Sequence, residues 1–121
     1  MKIRLTPTAM TQLELIADTM TNETGFIIGQ DIGKFRIIEN LLPINFNETT
    51  IDEVYAKTYS KIGDKLIGVF FNNCEPFLND WFIENIIIKI KSAQPGFYLY
   101  DVNKKLIQLS DDNLEIKKNE M

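Results

Sequence analysis

Leu66-Ile67-Gly68-Val69-Phe70-Phe71 is an unbroken apolar run, and it decides the fold of this chain. Six residues are too few for a stable helix, and Ile, Val and Phe favour extended backbone. A strand without polar positions is covered on both of its faces. We therefore predict that residues 65–72 form a central strand, in which Gly68 allows a neighbouring backbone to approach closely.

The segment near the start of the sequence has the features of a helix N-terminus. Thr6 can cap the first turn through its hydroxyl oxygen, and Pro7 suits the first helical position because its ring fixes φ. Apolar residues then recur every three or four positions as far as Met20. This pattern predicts a helix over residues 7–20.

Two further elements are predicted between this helix and the central strand. Residues 24–30 and 34–42 are apolar segments joined by the turn-forming Asp31-Ile32-Gly33, which predicts a β-hairpin. Gly25 lies in the first of these strands, where it also leaves room for a neighbouring backbone. The apolar residues of segment 50–61 fit helical spacing better than alternation, so we predict a short helix there.

The segment after the central strand permits two interpretations. Asn79 or Asp80 can cap a helix whose apolar positions recur at helical spacing, which predicts a third helix over residues 80–92. The alternative is a strand over residues 86–91, because Ile88-Lys89-Ile90-Lys91 alternates and isoleucine favours extended backbone. We favour the helix.

The remaining sequence predicts a second hairpin and a tail. Pro95-Gly96 predicts a turn, and residues 97–100 and 105–109 predict the two strands that follow it. Residues 111–121 are highly charged and are expected to be a frayed tail or a short surface helix. The predicted fold is thus α+β, with one domain over residues 1–110 in which helices one and three cover a mixed sheet.

The composition argues against several classes of function. The 121 residues, 45% of them hydrophobic, suffice for one domain with a real core. Lys and Arg number 13 against 17 Asp and Glu, with no basic cluster for a phosphate backbone, so we expect no nucleic acid partner. Histidine, the commonest metal ligand and general base, does not occur. With a lone cysteine, Cys74, and no membrane-spanning run, we expect a cytoplasmic protein with no membrane partner.

The most specific motif in the sequence is Glu23-Thr24-Gly25-Phe26-Ile27-Ile28-Gly29. With the apolar run and the order of the predicted elements, this motif resembles the JAB/MPN family, also called JAMM metallopeptidases, over residues 3–109. The family segment reads Glu-Thr-Gly-Gly-x-x-x-Gly, and Phe26 departs from it at the second glycine. The resemblance implies a JAB/MPN-like architecture, in which a sheet lies in a three-layer arrangement like that of cytidine deaminases.

The resemblance also implies which positions would form a metal site. Active members of the family bind zinc through a His-x-His that ends the apolar strand and through the Asp of a Ser-x-x-Asp. The matching positions here are Phe71 and Asn73 for the histidines, Trp81 for the serine and Glu84 for the aspartate. A phenyl ring has no lone pair and a neutral amide is a poor zinc ligand, so we expect no zinc and no other cofactor. Glu23 matches the family glutamate that takes up and transfers the proton of the attacking water. Here we expect no metal that could activate such a water molecule.

We therefore expect a catalytically inactive protein in which the vacated site leaves a cleft. The candidate cleft consists of Phe71, Asn73, Cys74, Phe77 and Trp81. Inactive members of the family serve as structural partners, so the resemblance implies a protein-interaction or structural module that binds another protein or a second copy of the chain. Two alternatives stay open: an enzyme with altered, non-zinc chemistry, and a small-molecule-binding domain that uses the vacated cleft.

Overall fold

A computed structural model of the protein describes residues 1–115, which contain eight strands and two α-helices. The strands are β1 Lys2–Leu5, β2 Glu23–Ile32, β3 Phe35–Pro43, β4 Leu66–Asn72, β5 Ile86–Lys91, β6 Gln94–Tyr100, β7 Leu106–Gln108 and β8 Leu114–Glu115. The helices are α1 Pro7–Asp18 and α2 Ile51–Ile62, with short 3-10 turns at Gly63–Lys65, Asp80–Phe82 and Asp111–Asn113. The predicted α+β class is confirmed.

The strands form one mixed sheet in the order β7-β6-β5-β4-β2-β3-β1-β8. β1 runs parallel to both β3 and β8, and β4 runs parallel to β5, whereas the remaining neighbours are antiparallel. β4 lies between β2 and β5, and all seven of its residues are buried. The prediction of a central strand at residues 65–72 is thus confirmed.

The local signals near the start of the chain also act as predicted. The Thr6 hydroxyl accepts a hydrogen bond from the Ala9 N–H at 3.1 Å, which satisfies one of the unpaired donors of the first turn of α1. The hairpin of β2 and β3 turns at Gly33, whose φ of 58° lies in the left-handed region that glycine adopts without strain. The helix predicted at residues 50–61 is α2.

The sheet is the middle layer between α1 and α2. Because successive side chains of a strand point to opposite faces, each strand contributes to two separate cores. On one face α1 packs against a cluster that includes Ile27, Phe70 and Ile88. On the other face α2 packs against a cluster that includes Phe71 and Ile87. The second covering helix is therefore α2, and not a third helix as the sequence predicted.

The predicted helix at residues 80–92 is wrong, and the alternative strand at residues 86–91 is confirmed. The helical part of this segment is limited to a single 3-10 turn, Asp80–Phe82. Glu84 then has a left-handed backbone conformation with φ of 68°. Ile86–Lys91 is β5, which pairs with β4 on one side and β6 on the other. Its isoleucines fill both cores, and that burial together with two strand ladders outweighs the helical spacing of the same residues.

Two more departures from expectation concern the start of β6 and the strand β1. Pro95 and Gly96 lie within β6, and the chain instead reverses at Ser92 and Ala93, whose φ values of 51° and 64° are those of a type I′ hairpin turn. The predicted hairpin beyond it is confirmed as β6 and β7. Lys2–Leu5 form β1, a strand that was not predicted.

The C-terminal part of the described chain adds a turn and a strand to the fold. Asp111–Asn113 form a 3-10 turn, and Leu114–Glu115 form β8, which pairs with β1. The rest of the predicted charged tail, residues 116–121, lies outside the described residues. Within residues 1–115, no helix has the length and apolar character needed to span a lipid bilayer.

Candidate functional site

Phe71, which the sequence resemblance aligns with the first zinc-binding histidine, has its ring in the core. It lies in β4 on the face covered by α2 and is fully buried. Its ring centroid is 5.2 Å from that of Phe77 and 6.2 Å from that of Phe46, both in edge-to-face contact. Two members of the candidate cleft, Phe71 and Phe77, thus pack against each other.

Asn73, which the same resemblance aligns with the second histidine, is fixed by two hydrogen bonds. Its backbone N–H donates to the Ile90 carbonyl at 2.7 Å, and its side-chain oxygen accepts from the Ser92 N–H at 3.2 Å. Its φ of 56° is left-handed, a conformation that asparagine tolerates better than most residues. The remaining group of the side chain, the Nδ2 amide, is buried and has no hydrogen-bond partner within the described residues.

Cys74 follows Asn73 and is partly buried. Burial raises the pKa of its thiol, the nearby Glu75 carboxylate raises it further, and a backbone hydrogen bond from Asn72 opposes both. The thiol donates weakly to the Glu23 carbonyl, with sulfur and oxygen 3.9 Å apart. At neutral pH this cysteine is therefore protonated, which argues against a role as nucleophile.

Asn73 and Cys74 are the two members of the candidate cleft that line a common depression. Its volume is about 320 Å³. It is lined by Asn73, Cys74, Glu75, Lys89, Ile90, Lys91 and Ser92. We call it the β4–β5 depression. The sequence does not point to its lysines, because residues two positions apart in the predicted helix over residues 80–92 would not face each other.

Trp81, the fifth member of the candidate cleft, lies apart from the other four. It belongs to the 3-10 turn after β4, where Asn79 accepts a hydrogen bond from the Trp81 N–H at 3.0 Å. Its indole is 56% exposed and stacks on the ring of Tyr55 in α2, with the centroids 5.2 Å apart. Tyr59, one turn further along α2 and 45% exposed, also stacks on Tyr55, at 6.1 Å.

We call Tyr55, Tyr59 and Trp81 the aromatic stack. Burial, with a smaller effect from Tyr59, raises the pKa of Tyr55, so its phenol is neutral at physiological pH. The spacing of Tyr55 and Tyr59, four positions apart on a helix, indicates that the two rings meet. The contact with Trp81 depends on how the turn after β4 folds back on α2, and no local signal in the sequence predicts it.

The two glutamates carried over from the family lie at opposite ends of β4. Glu23 opens β2 and pairs with Asn72 at the end of β4, and one of its carboxylate oxygens is buried without a hydrogen-bond partner among residues 1–115. Glu84 precedes β5, whose Ile86 pairs with Gly68. Asn72 lies four residues beyond Gly68 in β4, a distance of about 13 Å. Within residues 1–115, no group of three or more Cys, Asp or Glu side chains could hold a metal ion.

The architecture is therefore that of an α+β protein with a mixed eight-stranded sheet over residues 1–115. No protein-family model and no curated protein matches the chain. Solved structures do match, among them the solution structure of protein DSY2949 from Desulfitobacterium hafniense. That protein is 18% identical, with a TM-score of 0.64, and the match covers 97% of this chain and 94% of that one. Since identity is this low, the likeness concerns the fold alone.

Proposed function

We propose that this chain is a catalytically inactive, JAB/MPN-like domain of the cytoplasm that acts as a protein-interaction module, with another protein or a second copy of itself as partner. The observation that carries the proposal is the aromatic stack. Trp81 and Tyr59 expose 56% and 45% of their surface although most large apolar side chains of the chain are buried. Tryptophan and tyrosine are the residues that most often dominate the binding energy of protein interfaces.

The surroundings of Trp81 support the same proposal. A shallow depression of about 510 Å³ beside its ring is lined by Asp52, Asn79 and Asp80. The surface therefore has an apolar centre and a polar rim, as protein interfaces do. Because stacking on Tyr55 already restricts the indole, little conformational entropy remains to be lost when a partner covers it.

The degenerate zinc positions support the inactive part of the proposal. The ring of Phe71, at the position that the resemblance assigns to the first histidine, packs against Phe46 and Phe77. Glu23 and Glu84 lie beside opposite ends of β4, whose Gly68–Asn72 part alone spans about 13 Å, which is too far for one metal ion to bind both carboxylates. Hydrolysis by the family mechanism needs these groups to converge on one water molecule.

Site-specific photo-crosslinking tests the proposal. A benzoylphenylalanine introduced at Ala56, an exposed position of α2 next to Tyr55, should give one discrete adduct in extracts of the source cells. An adduct of twice the chain mass identifies a second copy, and any other mass identifies a different protein. Trp81→Ala should abolish the adduct, whereas the same probe at the exposed Val102 should give none. An adduct that survives Trp81→Ala, or no adduct at all, would contradict the proposal.

A further inference from the structure

The assignment of residues 86–91 to a strand brings two lysines together. Lys89 and Lys91 are two positions apart in β5, so both side chains project from the same face of the sheet. Lys89 pairs in register with Phe71 of the parallel strand β4. Both lysines line the β4–β5 depression together with Asn73, which follows the end of β4.

Neither lysine is neutralised within residues 1–115. Lys57 and Lys104 have carboxylate partners at 3.2 and 3.1 Å, whereas neither Lys89 nor Lys91 has a carboxylate within 4.0 Å in the described part of the chain. The Lys89 ammonium instead lies over the ring of Tyr98, 5.3 Å from its centroid. With Glu75 as the single acidic side chain among its lining residues, the depression carries an excess of positive charge.

An unpaired donor lies at the same place. The oxygen of the Asn73 side chain is held by the Ser92 N–H, which fixes the amide plane and leaves the buried Nδ2 without an acceptor. A buried N–H without a partner is costly, and an oxygen atom bound at this end of the depression would remove that cost. Two cations and one amide donor form a set that suits an anion with several oxygen atoms.

From these observations we propose that the β4–β5 depression binds the phosphate group of a small phosphorylated molecule. Lys89 and Lys91 supply the charge, and the amide of Asn73 supplies a directed hydrogen bond. A volume of about 320 Å³ matches a phosphate with a small organic group attached. The proposal is independent of the interaction module, because none of the residues of the aromatic stack lines this depression.

Titration of the ¹⁵N-labelled chain with inorganic phosphate at low ionic strength tests the site. The amide resonances of Asn73, Cys74 and Ser92 should shift and saturate. Replacing both Lys89 and Lys91 by glutamine should weaken binding about tenfold or more. The matched control replaces Lys104 and Lys105 by glutamine, which removes the same charge at the turn between β6 and β7 and should leave the affinity unchanged.

Two substitutions of asparagine separate charge from the directed hydrogen bond. Asn73→Asp keeps an oxygen for the Ser92 N–H but replaces the free donor by an acceptor, so it should abolish phosphate binding. Asn103→Asp adds the same charge in an exposed turn and should have no effect. Equal weakening by the two asparagine variants or by the two lysine pairs, or resonance shifts that do not saturate, would overturn the proposal.

Cys74 offers an independent readout because it is the single cysteine of the chain and lines the depression. Bound phosphate should slow its alkylation by iodoacetamide, and an unchanged rate at saturating phosphate would contradict the site. Glycerol 3-phosphate serves as the second ligand. Tighter binding of glycerol 3-phosphate than of inorganic phosphate supports a phosphorylated molecule as the ligand. Equal affinity overturns that claim and identifies free phosphate as the ligand.

Discussion

The indole of Trp81 stacks on the phenol of Tyr55, with centroids 5.2 Å apart and planes inclined by 28°. One ring belongs to the turn after β4 and the other to α2, so the contact joins two segments that cover the same face of the sheet. Tyr55 is buried beneath the contact, whereas Trp81 remains largely open to solvent. The contact thus presents a rigid apolar surface that the fold itself does not cover.

Trp81→Ala should change stability little, because most of the indole is already in solvent. Loss of the stacking contact should lower the free energy of unfolding by about 1 kcal/mol. The neighbouring Phe82 is the matched control, since its ring is fully buried, and Phe82→Ala should cost about 3–5 kcal/mol. Urea denaturation followed by circular dichroism measures both values. Similar losses for the two variants would mean that Trp81 is a core residue.

Asn72→Asp should be strongly destabilising, since the Asn72 amide ties the end of β4 to the end of α1. Its Nδ2 donates to the carbonyls of Ile16 and Thr21 at 2.9 and 3.0 Å in a fully buried site. A carboxylate there would face two acceptors, at a cost of about 3 kcal/mol or more. Chemical denaturation compares it with Asn103→Asp, which lies in an exposed turn and should stay within about 0.5 kcal/mol of wild type. A mild effect of Asn72→Asp would show that the amide is not essential to this junction.

Gly68→Ala should prevent normal pairing of the central strand. An added Cβ would collide with the Ile86 carbonyl oxygen of β5 and approach the Ile27 side chain to 2.9 Å. We expect a loss of about 3 kcal/mol, or failure to fold. Gly33→Ala is the comparison, because its turn has open space around it and only the positive φ is unfavourable, at about 1 kcal/mol. Thermal unfolding ranks the two, and a milder Gly68→Ala would contradict the close approach of β4 and β5.

Introducing histidines at Phe71 and Asn73, the positions that the resemblance assigns to zinc ligands, should not create a zinc peptidase. Phe71→His places an imidazole among buried aromatic rings, which should cost about 2 kcal/mol or more, and the carboxylate of Glu84 remains near the other end of β4. The double variant with Asn73→His should therefore show no zinc-dependent hydrolysis of a fluorogenic peptide. Asn73→His alone should be better tolerated, because this position is only partly buried. Zinc-dependent turnover by the double variant would show that the site is not degenerate.

The thiol of Cys74 should ionise at higher pH than an ordinary cysteine, because burial raises its pKa. The rate of alkylation by iodoacetamide should reach half its plateau above pH of about 8.5, the ordinary value, and should return to that value in urea. The folded state therefore holds the proton more tightly. The resulting stabilisation is complete below the unfolded pKa and is lost as pH rises through the folded pKa. Wild type should accordingly lose more stability than Cys74→Ser between pH 8 and 10, and an equal loss would refute the shift.

The parts of the fold that the sequence predicts are those with a local cause. Thr6 and Pro7 start α1, Gly33 turns the first hairpin, and the apolar run of β4 requires a buried strand whatever its neighbours are. β5 has no such local cause, because Ile86–Lys91 fits both the helical and the strand period. Only its pairing with β4 and β6 decides between helix and strand. β1 is missed for a similar reason, since four residues form a strand only through parallel pairing with β3.

The features of the candidate site also divide into those that the sequence predicts and those that depend on long-range contacts. The absence of histidine and the identity of Phe71 are visible in the sequence, and they argue against a zinc site of the kind that the resemblance implies. The aromatic stack and the β4–β5 depression depend on contacts between segments far apart in the chain, so the sequence names Trp81, Asn73 and Cys74 without showing that they belong to different surfaces.

Sedimentation velocity of the fluorescently labelled chain in cell extract tests the central claim, that the protein works by docking through the aromatic stack. The label is attached to the N-terminal amine, and the control is the identically labelled Trp81→Ala variant. We predict that wild type sediments as an assembly clearly larger than its own 14.0 kDa and that Trp81→Ala sediments as the monomer. If both sediment as monomers, or both as the same assembly, the aromatic stack is not a docking surface.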